Sequence, residues 1–97
     1  MPNKMPPVHP GEILRDELAE LALSASALAR ALGVATNRVT AILNGQRGIT
    51  ADSALRLARY FGTSPEFWMN LQRSYDLKIA KQRAGKDIDR AVRPRAA

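Results

Sequence analysis

The stretch that decides the fold runs from Ala25 to Asn44 and reads ASALARALGVATNRVTAILN. Leu28 and Leu32 are four residues apart and share one face of a helix; Val39 and Ile42 are three apart and share one face of a second. Val34 lies between the two and is placed to plug the corner. Ala29 is small enough to let the helices approach closely, where a large side chain would hold them off. Gly33 ends the first helix, because glycine enters the left-handed region without a Cβ clash. Asn44 and Gly45 stop the second in the same way.

Working outward from this unit, Pro10 fits the first turn of a helix, where a missing N–H costs nothing. Helix one is predicted over Pro10 to Leu21, with Ile13, Leu14, Leu18 and Leu21 as its buried stripe. Ser24 caps helix two, Ala25 to Leu32; the turn is 33–35; helix three runs from Thr36 to Leu43. Thr50 caps helix four, Ala51 to Phe61, with Asp52 in its first turn favouring the helix dipole and Gly62 ending it. Ser64 caps helix five and Pro65 opens it; that helix carries Phe67, Trp68, Leu71 and Tyr75 and is expected to end near Arg83 to Gly85. Residues 1–8 are Pro-rich and expected to form a mobile arm. The chain shows no internal repeat and no convincing strand. The expected fold is all-α, five helices around one core, with a domain at 8–83 and a disordered basic tail at 84–97. Within it, 25–44 is a helix-turn-helix, a unit whose second helix enters the DNA major groove.

The 97 residues suit one domain with a small core. No cysteine is present, which excludes disulfides and thiolate metal sites. No apolar run approaches membrane-spanning length, and MPNKMPPVHP lacks the apolar stretch of a signal peptide, so a prokaryotic cytoplasm or nucleoid is the expected address. The net charge of +6 is unevenly spread. From Val8 to Leu77 seven Arg balance seven acids, whereas Lys78 to Ala97 carries seven basic residues and two acids. A basic end on a neutral domain suits a polyanion. It equally suits a solvated tail.

If helix three lies in the groove with Val39, Ile42 and Leu43 inward, its outward set is Thr36, Asn37, Arg38 and Thr40. Asn pairs with adenine and Arg with guanine in a bidentate way, and Thr meets either base or a thymine methyl. Ser24, Asn44, Gln46 and Arg47 flank the helix and are expected at phosphates, which fix register without reading sequence. Ser24 and Asn44 are also caps. Phe67, Trp68, Leu71 and Tyr75 are candidates for a two-fold dimer surface or for cover over the core. Glu12, Asp16 and Glu20, spaced by four with Glu17 alongside, form an acidic ridge that suits a basic partner or simply solvent.

An enzyme reading finds little. His9 is the sole histidine and precedes a proline in the expected arm. No metal-ligand cluster, phosphate-binding Gly loop or nucleophile–base pair is visible, and neither cofactor nor metal is expected. Asp52 and Ser53 are helix-start residues, and Trp68 and Met69 are packing residues.

The chain resembles the phage-repressor class of helix-turn-helix proteins and, more narrowly, is similar to the HigA/VapI family of antitoxins. The matching stretches are HPGEILRDEL at 9–18, LARALGV at 28–34 and ILNGQRGITADSALRLARYFGTSPEFWMNLQRSYDL at 42–77. The resemblance implies a type II toxin–antitoxin component that binds and silences a small RelE-like, mRNA-cleaving toxin of the HigB type. It also implies a homodimer that binds operator DNA and represses its own operon. Phage-type repressors often carry Gln at the first residue of helix two; Ala25 stands here, so a side-chain contact to the DNA backbone is lost while the backbone N–H groups remain. Two other readings stand beside it: a stand-alone phage-type repressor, and a purely protein-binding antidote.

Overall fold

A computed structural model describes residues 6–96, and among them the chain forms five helices and no strand. These are α1 (Pro10–Leu21), α2 (Ala25–Leu32), α3 (Thr36–Leu43), α4 (Ala51–Phe61) and α5 (Pro65–Ala91). Local chemistry sets most of the boundaries. The hydroxyls of Ser24, Thr50 and Ser64 each accept the backbone N–H three residues on, those of Ala27, Ser53 and Phe67. Gly33 and Gly62 close α2 and α4 in the left-handed conformation, at φ of 72° and 73°.

The core is built from Leu14, Leu18, Leu28, Ala29, Val39, Ile42, Ile49, Ala54, Leu57, Ala58 and Trp68. Leu32, Val34 and Leu43 pack against it half-buried. The corner after α2 is sealed as expected of small and apolar residues: the Val34 N–H donates to the Ala29 carbonyl at 3.0 Å.

Four expectations are corrected. Leu21 is 53% exposed, not part of the α1 stripe, and Ile13 is only half-buried. The chain turns at Ala22, itself left-handed at φ 52°, and Leu23 folds back with its N–H on the Leu18 carbonyl. Leu23 takes the apolar contact that closes such a helix end. His9 is not part of an arm. It is buried and caps α1: its Nδ1 accepts the Gly11 N–H at 2.9 Å, and Glu12 Oε2 accepts the His9 N–H at 3.1 Å. The rest of the expected arm shows no regular structure at 6–8, and residues 1–5 lie outside the described ones.

The fourth correction concerns α5. It does not stop near Arg83 to Gly85 but continues through the expected tail to Ala91. KDIDRA contains no proline, and each residue added to an existing helix gains a hydrogen bond without a new nucleation cost. An Asp87–Arg90 pair at 3.9 Å spans one turn of it. At 27 residues α5 reaches about 40 Å. It extends well past the bundle and gives the molecule extents of 52 × 24 × 24 Å. No helix among the described residues is long and apolar enough to cross a membrane.

Candidate nucleic-acid interface

The two-helix unit holds α3 with one face on the core and one on solvent. Val39 and Ile42 are buried beneath it, while Thr36 and Asn37 are exposed at its N-terminal end. Ala35 precedes α3 and offers no side-chain cap, so the N–H groups of Thr36 and Asn37 stay open, while that of Arg38 donates to the Ala35 carbonyl at 3.1 Å. Thr40 is half-buried, and its hydroxyl donates to the Asn37 carbonyl at 3.2 Å, which leaves the Asn37 amide as the foremost polar group of this face.

Arg38 sits differently from the expectation. Around the helix it falls on the flank towards α4, and its Nη1 donates to Asp52 Oδ1 at 2.7 Å. The same oxygen accepts from Arg56 Nε, also at 2.7 Å, and Arg56 Nη1 donates to the Leu32 carbonyl at 2.8 Å. One carboxylate at the start of α4, with the arginine beside it, therefore ties together α3, α4 and the end of α2. Hydrogen bonds from Arg56, then from Arg38, hold the Asp52 carboxyl below the usual carboxylate range.

The segment after α3 is anchored from two sides. Arg15 of α1 donates through Nη2 to the Leu43 carbonyl at 3.0 Å and to Asn44 Oδ1 at 3.2 Å, closing the end of α3. The Ile49 N–H donates to Gln72 Oε1 of α5 at 2.6 Å, and Gly48 lies so close that a Cβ there would meet the Gln72 amide at 2.9 Å. Gln46 and Arg47 project between these anchors, exposed. Ser24, also exposed, is engaged as a cap and bonds Ser26 at 3.2 Å. Arg15 and Gln72 give no signal in the sequence because their partners lie on other elements; Asp52 and Arg56 are four apart on α4, a spacing that marks an ion pair, but the reach to Arg38 and to the Leu32 carbonyl crosses to other helices.

The other candidate groups are split by the fold. Trp68 is 2% exposed and belongs to the core, with its Nε1 donating to Thr63 Oγ1 at 2.9 Å, so it is no surface for a partner. Tyr75 packs edge-on to the His9 ring at 4.9 Å and is half-buried, as is Leu71; Phe67 stands out at 43% exposed. On α1, Asp16, Glu17 and Glu20 are exposed, but the Glu12 carboxylate is engaged in the cap. No group of three or more metal-ligating side chains occurs among the described residues.

Comparison with known proteins agrees with this geometry. The helix-turn-helix family model matches residues 14–68. Virulence-associated protein I of Dichelobacter nodosus is 58% identical over 81 residues, covering 82% of this chain and 75% of that protein. Among solved structures, an addiction module antidote protein of the HigA family from Coxiella burnetii superposes with a TM-score of 0.92 at 60% identity, over 94% of this chain and 100% of that one. The Pseudomonas aeruginosa antitoxin HigA, solved with the higBA promoter, gives 0.90 at 54% identity over 93% and 99%. The chain belongs to the helix-turn-helix family, and within it to the HigA antitoxins.

Proposed function

We propose that this chain is the antitoxin of a type II toxin–antitoxin pair, silencing a RelE-like, mRNA-cleaving toxin and repressing its own operon through operator DNA. The observation that carries the DNA half is the free polar face of α3 on the fold that a 54%-identical antitoxin presents to its promoter. Asn37 meets a base edge, with Thr36 and Thr40 beside it, and Arg38 joins them where a guanine lies within its reach. Gln46 and Arg47, with Asn44 and the start of α2 at Ser24, meet phosphates on either side. The helical extension at 84–91 is neutral, Lys86 and Arg90 being matched by Asp87 and Asp89, and Arg93 and Arg95 beyond it add sequence-independent attraction.

Operator symmetry calls for two copies, with recognition helices about 34 Å apart. The exposed Phe67 and the half-buried Leu71 mark the side of α5 for that pairing. Asp16, Glu17 and Glu20 give α1 a negative side, which fits a toxin whose own surface attracts RNA.

Co-expression with the adjacent reading frame, with a gel shift on the upstream duplex, tests the whole reading. Rescue of growth, co-purification of a small basic protein and a retarded band are expected. A retarded band without a co-purifying partner leaves a stand-alone repressor; a partner without a band leaves a protein-binding antidote. Light scattering after size exclusion is expected to give twice the 10.6 kDa chain mass at micromolar concentration. A monomer there overturns the pairing.

A further inference from the structure

The shared carboxylate between α3 and α4 has a consequence for how strictly DNA is read. Arg38 is the one cation among the residues proposed at base edges, and it is bound to Asp52 at 2.7 Å. Asp52 does not depend on Arg38 to stay in place. It lies in the first turn of α4, where the helix dipole favours a negative charge, and Arg56 grips the same oxygen while anchored on the Leu32 carbonyl. When Arg38 departs, the carboxylate keeps one guanidinium and remains where it was. The contact is also open to solvent, with side-chain exposures of 28% for Arg38 and 57% for Asp52.

Magnitudes then decide what can draw Arg38 away. An exposed ion pair is worth up to about fivefold in an equilibrium constant. A single phosphate contact by the same guanidinium is of that order, so exchanging Asp52 for a phosphate gains little. A bidentate guanidinium–guanine pair is worth about five- to 150-fold and outcompetes the carboxylate. We infer that Asp52 is a specificity-determining residue: it withholds Arg38 from the DNA backbone and releases it to a guanine, lowering affinity for unrelated duplex more than for the operator. This rests on the operator-binding reading above.

The test compares wild type, Asp52→Asn, Arg38→Gln and the double variant on two duplexes, the region upstream of this coding sequence and a scramble of equal composition, across a salt series. Asp52→Asn is expected to tighten binding to the scramble about three- to fivefold and to steepen its log K against log salt slope by about one, as Arg38 finds a phosphate. Binding to the upstream duplex is expected to change less than twofold, so the preference for it falls. In the Arg38→Gln background, Asp52→Asn is expected to do nearly nothing on either duplex. Removal of a negative charge acts regardless of Arg38; equal tightening on both duplexes, or tightening that survives Arg38→Gln, therefore overturns the inference. So does an unchanged affinity for the scramble. Wild type with no preference for the upstream duplex brings down the operator-binding reading and this inference together; a clear preference indifferent to Asp52 brings down this inference alone. Thermal melts of each variant separate folding effects from binding.

Discussion

Gly11 is confined to glycine by a neighbour rather than by its own backbone. It lies in the first turn of α1, and a Cβ built there would run into the carbonyl of Ile42 on α3. Main chain cannot swing aside as a side-chain end can, so Gly11→Ala is expected to cost about 2–3 kcal/mol, read as a lower urea midpoint. Ala22 is the reverse case. It ends α1 at φ 52°, where a Cβ is strained, and it is exposed, so Ala22→Gly is expected to raise stability by about 0.5–1 kcal/mol in the same assay. The two substitutions exchange the same pair of residues, and opposite signs are the check. Asp52 makes a third residue-scale case. An acid whose folded pKa is depressed adds its stability in full above the unfolded pKa and loses it as pH falls through the folded one. The Asp52 carboxyl, followed by NMR, is expected to titrate below the usual carboxylate range and to move up towards it in Arg38→Gln, with Arg56 still holding it part of the way down.

At the scale of elements, the helices were readable wherever a cap or a stop signal is written locally. Ser24, Thr50 and Ser64 with Pro65 begin α2, α4 and α5 where they are expected to, and Gly33 and Gly62 end α2 and α4. Legibility fails where the deciding partner is distant or no stop exists. His9 caps α1 with a ring nitrogen and is held by Tyr75, sixty-six positions away in the chain, so a lone histidine before a proline gives no warning of it. α5 runs on because nothing between Gly85 and Pro94 breaks a helix, although lack of apolar residues argues for disorder. The face of α3 was legible in Thr36 and Asn37, but the turning aside of Arg38 was not: Asp52 is fourteen residues on and belongs to another helix. The exposed end of α5 supports no core residue. Deleting residues 84–97 is expected to leave the unfolding midpoint unchanged within about 0.5 kcal/mol while flattening the salt dependence of DNA affinity. An unchanged slope marks the extension as a bystander in binding.

For the molecule as a whole, shape and charge divide along the same line. The bundle from Val8 to Leu77 is neutral, and the excess of positive charge lies on the far half of α5 and beyond it, across a particle 52 Å long. Base reading is assigned to the neutral body and general attraction to its basic end, so the two properties are expected to vary independently under mutation. What joins them mechanically is α5 itself, through the Gln72 side chain that receives the Ile49 N–H. That bond ties the connector to α5 at a buried residue, so the Ile49 N–H is expected to exchange slowly. Ile49 is thus a native deuterium clock: its exchange rate times how often the segment after α3 parts from the long rod, with no label or probe attached, in the free protein and in any complex it forms.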